Sequence, residues 1–492
     1  MPIGRGCLPS DGIAIIGLIM QDHTFIRPAP IGGDGRTRGA WRTELVATAR
    51  LAWPLALANL LQMLVYATDV VFVARLGAFD LAASSLAVSV LSIIAWSLIG
   101  MVAMSSALIA AALGRERFAV REIRRDTRMA IWLGALSGLF AMVLLSQTER
   151  LLLWSGQEPD LAARAMDYMA IVLWAMPALL VANALRAFVS AMGWPGIATA
   201  ITAIAILVNA AGNYALVFGN WGAPALGLEG SAIATVLTSI ATLLAYIVAV
   251  QANRRLRRYS IFGRLWRPDW VKLWQLVRLG APVMFTTLAE AGLFGGAALL
   301  MGRIGTLELA AHTLALQLAA LAFQVPYGIA QAATIRVGYH FGAKDAAAAG
   351  RAGWTGLGLA TGFMSLTAAM MLFMPETLLS AYIDVDDLAN AALVALAVRY
   401  MLVAAVFQLV DGIQVVAAGA LRGLQDTRVP MWFAIFSYWV PGFGLSWYLG
   451  LHSPLEGTGV WIGFAVGLAT ATVLLGARWA WRERLGIVGE RG

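Results

Sequence analysis

Twelve long apolar runs divide this chain, and a backbone placed in hydrocarbon has few ways to fold. The runs are Leu51–Val73, Leu86–Leu113, Met129–Leu145, Tyr168–Met192, Ile197–Phe218, Ser231–Gln251, Pro282–Met301, Leu309–Val337, Gly353–Met374, Ala391–Leu421, Pro430–Leu451 and Gly457–Arg478. Most approach or exceed the ~20 residues that a helix needs to cross a bilayer. With no water inside the bilayer, each backbone N–H and C=O must be satisfied within its own segment, so runs of this length read as helices. Composition agrees: of 492 residues, 60% are hydrophobic and 13% charged, against roughly 25% charged in soluble chains. An all-α polytopic membrane protein is expected.

The charges carry a topology. Lys and Arg number 35 and Asp and Glu 27, for a net charge of +8, a surplus that could suggest nucleic acid. Their positions argue otherwise. Arg115, Arg117, Arg121, Arg124, Arg125 and Arg128 fall in one connection, and Arg254, Arg255, Arg257, Arg258, Arg264, Arg267 and Lys272 in another. Lys344 and Arg351, then Arg422 and Arg428, and the tail residues Arg482, Arg484 and Arg491 join the same side. The alternate connections hold little beyond Arg75, Arg150, Arg164 and Arg303. By the positive-inside rule the Arg-rich side and both termini are cytoplasmic.

Residues 1–42 are polar and rich in Gly and Pro. Their one apolar stretch, Ile13–Met20, is too short to span and lacks a signal-peptide pattern. They read as a disordered cytoplasmic tail or a start codon assigned too early. The lone Cys7 can form no internal disulfide.

An internal repeat organises the rest. RLGAFDLAA begins at Arg75 and RIGTLELAA at Arg303, an offset of 228 residues that also pairs Pro54 with Pro282, Gln62 with Glu290 and Gly114 with Gly342. With small drifts, Tyr168 pairs with Tyr400 and the ALR at Ala184 with the ALR at Ala420. Each unit holds six spans, so the second re-enters with the orientation of the first. Two six-helix lobes related by a pseudo-two-fold along the membrane normal are expected. The boundaries are an N-lobe at 43–251, a cytoplasmic linker at 252–278, a C-lobe at 279–481 and a short cytoplasmic tail at 482–492.

Only three acids, Asp69, Glu290 and Asp411, fall inside spans and away from their ends. A charge there costs roughly 2.5–3.5 kcal/mol on insertion scales, so each needs a reason. A neutral, hydrogen-bonded core acid is the plain alternative. A cation pathway is the stronger reading, because a carboxylate in low dielectric takes up a proton or a metal cation at modest cost. Glu290 and Asp411 share the second lobe and have no Lys or Arg within a helical turn. Asp69 lies in the first lobe, where Asn209 and Asn213 stand four apart on one helix face. Those amides suit either a carboxylate partner or a helix-packing contact.

Pro54, Pro177, Pro282, Pro326 and Pro441 permit kinks without establishing hinges. The Trp residues, among them Trp96, Trp154, Trp174, Trp221, Trp439 and Trp447, suit interfacial anchoring better than a cage for aromatic cations. No GxxxxGK[ST], HExxH or paired Asp-rich motif occurs, and His23, His312, His340 and His452 are scattered singly. A secondary transporter without cofactor or metal remains.

These motifs resemble those of the multidrug and toxic compound extrusion family, in particular its NorM-like branch. The resemblance covers about Thr43 to Trp481 and rests on Pro54, Gln62 and Asp69 in the first span, LGAFDLAA, NAAGNYALVFG, LAEAGLF, AAHTLALQ, PYGIAQAATIRVGYHFG and above all DGIQVVAAGALRGLQDTRVP. It implies twelve helices in two lobes forming a V, placed in the bacterial inner membrane. It also implies efflux of organic, often cationic, compounds in exchange for H⁺ or Na⁺. By the resemblance, Glu290 and Asp411 match the second-lobe cation site, while Asp69, Asn209 and Asn213 match a proton-linked cluster, with Gln62 in support. Phe407 departs from the NorM pattern, where a Tyr is usual; one fewer oxygen beside Asp411 favours H⁺ over Na⁺. The expected partners are small organic molecules, the coupling ion and membrane lipid, with no nucleic acid and a monomeric state.

Two other functions remain. A flippase for lipid-linked saccharides would want cationic residues in the cavity, and Arg186, Arg336, Arg399 and Arg422 lie near the ends of spans. A membrane-embedded lipid-modifying enzyme would turn over substrate without an ion gradient.

Overall fold

A computed structural model describes residues 38–115 and 119–488. The proposed tail up to residue 37, Arg117 and Arg491 lie outside the described residues.

Among the described residues, ten helices are long and apolar enough to cross a membrane. They are α1 (Arg38–Ala74), α2 (Ala78–Arg115), α3 (Val120–Leu145), α5 (Pro195–Phe218), α6 (Gly227–Ala252), α7 (Trp270–Ile304), α8 (Thr306–Gly342), α9 (Ala346–Phe373), α10 (Ala391–Gly423) and α12 (Glu456–Ala480). The fourth span, α4, is a pair of helices, Pro159–Val172 and Ala175–Ala191, bent by 50°. Pro177 explains the break, because it cannot donate to the carbonyl four residues earlier. The eleventh, α11, runs as helix Arg428–Ser437, a π turn Tyr438–Phe443 containing Pro441, and helix Gly444–His452. Together these account for the twelve expected spans. No strand occurs among the described residues.

Local chemistry sets the ends. Pro195 opens α5, where its missing N–H costs nothing. Gly219 closes α5 with φ 74°, a left-handed conformation that suits a residue without Cβ. Asp345 caps α9 by accepting from the Ala348 N–H at 2.8 Å, and Asp269 caps α7 by accepting from the Lys272 N–H at 3.2 Å. The α7 helix therefore starts at Trp270, ahead of the expected lobe boundary at 279. At the other terminus, Arg482 and Val488 are buried against the second lobe; residues 482–488 pack on the fold instead of trailing as a tail.

The lobes meet along the Arg-rich half of the bundle through pairs of contacts related by the repeat. A Cβ on Gly114 would run into the Tyr339 carbonyl, and one on Gly342 into the Ala111 carbonyl; 111 and 114 become 339 and 342 at the 228-residue offset. Nearer the middle, Gly100 abuts Val283 and Gly328 abuts Ala56, which again match at that offset within one residue. Small residues here allow backbone to touch backbone. Such reciprocal contacts are what a pseudo-two-fold axis through the interface produces.

Charges reinforce this half. Glu44 of α1 pairs with Arg336 of α8, and Lys272 of α7 reaches Asp126 of α3 at 3.1 Å. The segment between the lobes is tied to α3: Arg124 donates to the Tyr259 carbonyl at 2.7 Å, Arg128 to Ile261 at 3.0 Å and Trp132 to Leu265 at 2.7 Å. The arginines that mark topology in the sequence thus also fasten the linker.

Candidate functional site

A cavity of about 190 Å³ opens between the lobes, lined mainly by the first. Its walls are mostly apolar residues of α1, α2 and α4, and α8 closes its far side with Tyr327, Gln331 and Thr334. The floor is the band where the lobes touch: Ala56 meets Gly328, and Trp96 packs edge-on against Tyr327 with centroids 6.2 Å apart.

Asp69 lines this cavity near the C-terminal end of α1. Its Oδ1 accepts from Asn209 Nδ2 at 2.9 Å and from Asn213 Nδ2 at 2.8 Å, and its Oδ2 accepts from Thr235 Oγ1 at 3.3 Å. The four-residue spacing on α5 thus aims both amides at one oxygen. Both Asn residues are fully buried, and their Oδ1 atoms have no hydrogen-bond partner among the described residues. All three donors belong to the first lobe, so the cluster is internal to that lobe. Thr235, on α6, was not singled out from sequence, although with Thr238, Ser239 and Thr242 it forms a run of hydroxyls at helical spacing that lines the cavity.

Gln62 also lines the cavity, two turns before Asp69 on α1. Beside it Asn59 accepts a hydrogen bond from Arg186 Nη2 at 2.6 Å. Arg186 and Arg422 both border the cavity. Both lie near helix ends, as read from the sequence, and those ends frame the cavity. Their shared ALR motif was legible as a repeat but not as a site.

Glu290 and Asp411 are held apart from this space, inside the second lobe. Asp411 is 5% exposed, and its Oδ1 has no hydrogen-bond partner among the described residues. The two acids are electrostatic neighbours, and both act on Tyr438 at the start of the π turn. Tyr438 in turn accepts from Gln414 Nε2 at 2.6 Å. Arg422 acts electrostatically on Glu290, so the absence of a cation within a helical turn did not mean absence in space. Phe407, one turn before Asp411, packs among Phe294, Trp461 and Phe464 and contributes no oxygen.

The structure therefore gathers the sequence-selected residues into two sets: Asp69 with Asn209 and Asn213, and Glu290 with Asp411. Of the six tryptophans named from sequence, only Trp96 lines the cavity. Trp154, Trp174 and Trp221 are exposed at 86%, 64% and 76%, as interfacial anchors are.

A family model described as MatE matches residues 54–215 and 282–448, one match on each lobe. The chain belongs to the MatE family. Its members are transporters, so this protein is a multi-pass membrane transporter and not an enzyme. It is 42% identical over 445 residues, 90% of this chain and 95% of the relative, to a probable multidrug resistance protein NorM of Mesorhizobium japonicum. It is 40% identical over 441 residues, 89% of this chain and 94% of the relative, to the multidrug resistance protein NorM of Burkholderia vietnamiensis. Among solved structures, it superposes on MATE in the bent conformation with a TM-score of 0.79, at 18% identity over 92% of this chain and 98% of that one. It also superposes on an outward-facing multidrug resistance MATE family transporter with a TM-score of 0.79, at 20% identity over 91% and 97%. These likenesses establish twelve helices in two lobes.

Proposed function

We propose that this MatE-family protein is a secondary active multidrug efflux transporter that exchanges organic, often cationic, compounds for H⁺ or Na⁺ by alternating access of its two lobes. The observation that carries the reading is Asp69: a carboxylate set in a mainly apolar cavity between two bodies, with hydrogen bonds from one body only. An organic cation is recognised by such an acid and by the surrounding apolar wall. The relatives named as multidrug resistance proteins support the same substrate class.

Coupling runs through Asp69 and the pair Glu290 and Asp411, with Asn209, Asn213 and Gln62 in support. Two neighbouring carboxylates repel one another when both are ionised, and a bound cation relieves that repulsion. Phe407 beside Asp411 favours H⁺ as that cation. Cation binding drives exchange only through its different affinity for the two facing states. With the Arg-rich side cytoplasmic, lobe contacts on that side close the inner face, and the cavity opens outward. The protein then resides in the bacterial inner membrane as a monomer with both termini cytoplasmic.

The experiment is dye or drug efflux from membrane vesicles under an imposed pH or Na⁺ gradient, comparing Asp69→Asn, Glu290→Gln and Asp411→Asn with wild type. Loss of gradient-driven export in these variants supports the assignment. Normal export by Glu290→Gln and Asp411→Asn removes the second-lobe pair from coupling. Export that persists after an ionophore collapses the gradient overturns antiport altogether.

A further inference from the structure

The segment that joins the lobes is laid along α3 by a ladder of three donors. Arg124, Arg128 and Trp132 stand four apart on one face of α3 and donate in turn to the carbonyls of Tyr259, Ile261 and Leu265. The segment thus follows α3 for about 12 Å, from the basic start of that helix into its apolar run. It then returns: Asp269 pairs with Arg125, and its N–H meets Met129 Sδ at 3.2 Å.

Three guanidinium groups crowd the ladder. Arg128 Nη2 donates to the Ser260 carbonyl at 3.1 Å and would stand 3.5 Å from a Cβ at Gly263, the neighbour of Arg264. Arg124 and Arg264 both act electrostatically on Arg128. The described acids of α3's first turns and of the segment are engaged elsewhere: Asp269 with Arg125, Asp126 with Lys272, and Glu122 with Arg115 and Lys272. Arg124 and Arg128 meet only carbonyls, and the exposed Arg264 side chain has no hydrogen bond or ion pair among the described residues. Like charges gathered in this way are relieved by an anion.

Apolar surface lies beside them. Trp266, which follows the last rung of the ladder, is 72% exposed, and Trp270, Val271 and Trp274 at the start of α7 are 64%, 81% and 67% exposed. Trp270 and Trp274 stand one turn apart on the same face. A soluble anion has no use for such a flank, whereas a phospholipid joins a phosphate to two acyl chains and meets both features.

We infer that the segment between the lobes and α3 form a binding site for an acidic phospholipid, with its phosphate held by Arg124, Arg128 and Arg264 and its acyl chains lying against the exposed tryptophans. Guanidinium forks pair well with phosphate oxygens, and arginines clustered where a helix enters the membrane attract acidic headgroups. Phosphatidylcholine carries its own cation and gains less there. The site joins α3 of the first lobe to α7 of the second, and it does not depend on what the transporter carries.

The probe is phosphatidylglycerol with a pyrene-labelled acyl chain, added to the detergent-purified full-length protein and read by energy transfer from the protein's tryptophans. Unlabelled phosphatidylglycerol should displace it at a several-fold lower mole fraction than phosphatidylcholine does. Arg264→Gln, at a side chain that supports no other contact, and Arg128→Gln should each weaken phosphatidylglycerol about fivefold, the size of one arginine's attraction to an anionic surface, and leave phosphatidylcholine unchanged. Arg264→Lys should keep most of the affinity, and Trp270→Ala should weaken both lipids. Arg254→Gln, exposed but outside the ladder, should have far less effect; a loss equal to that of Arg264→Gln reduces the site to diffuse basic charge and overturns it. Equal displacement by the two lipids overturns it as well. Displacement by glycerol phosphate as effective as by the intact lipid makes the ligand a soluble phosphate and overturns the lipid assignment.

Discussion

Arg336 of α8 grips Glu44 of α1 across the lobe interface, with Nε to Oε1 at 2.8 Å and Nη2 to Oε2 at 2.5 Å. Both side chains are buried, at 5% and 8% exposure, and His340 Nε2 stands 3.4 Å from Glu44 Oε2. This bidentate pair joins residues 292 positions apart at the closed end of the cavity. Removing one partner leaves the other charged and buried, which typically costs about 3–5 kcal/mol. Glu44→Gln and Arg336→Met should each lower the thermal stability of the detergent-purified protein by that amount. The double variant, with neither charge, should recover much of it, giving a coupling energy above ~1 kcal/mol in a double-mutant cycle. Additive losses in the cycle would show that the pair does not act as a unit.

The glycine contacts make a second prediction. At Gly342 an added methyl would have to displace the Ala111 backbone, whereas at Gly295 nothing lies within 4 Å. Gly342→Ala should therefore separate the lobes or strain them, at a cost of about 1–3 kcal/mol, and should depress export. Gly295→Ala should be neutral or slightly stabilising, since alanine favours helix. Unfolding midpoints for the two variants side by side check the difference; equal effects would deny the close approach at Gly342.

Asp269 offers a pH test outside the membrane-spanning segments. Partial burial pushes its carboxyl up, but hydrogen bonds from the Arg125 side chain and the Lys272 backbone outweigh this and hold it below the ordinary 3.8. A carboxylate depressed in the folded state contributes stability that is fully present above its unfolded value and is lost as pH falls through the folded one. Asp269→Asn keeps the helix cap but loses the charge, so at neutral pH it should be less stable than wild type by a few tenths to about 1 kcal/mol. The gap should close as pH drops below about 4. Stability measured across that range decides it, and a gap that persists in acid would assign the effect to something other than this charge.

The Asp69 cluster predicts graded losses. Asn209→Ala and Asn213→Ala each remove one amide donor to the same carboxylate oxygen. A hydrogen bond to a charged group is worth about 1.5–3 kcal/mol, so each variant should export tenfold or more slowly in vesicles. Thr235→Val, which removes the longer 3.3 Å contact, should cost less. An Asn213→Ala protein that exports at the wild-type rate would reduce the pair to helix packing.

The sequence by itself determined the twelve spans, the repeat and the three intramembrane acids. Those features are local: hydrocarbon forces each run to close its own hydrogen bonds, and a charge inside such a run is visible wherever the helix ends up. Even the α5 amides were legible, because a four-residue spacing puts two side chains on one face regardless of what faces them. Tertiary structure alone decided what that face meets. Asp69 and Asn209 are 140 residues apart, and only helix packing could show that they bond to each other while Glu290 and Asp411 form a separate set. The same holds for Arg186 and Arg422, which the sequence places near helix ends and the fold brings to the floor of a cavity. Span order says nothing about which helix ends converge, because that depends on the small-residue contacts by which Gly114 and Gly342 let the two lobes meet.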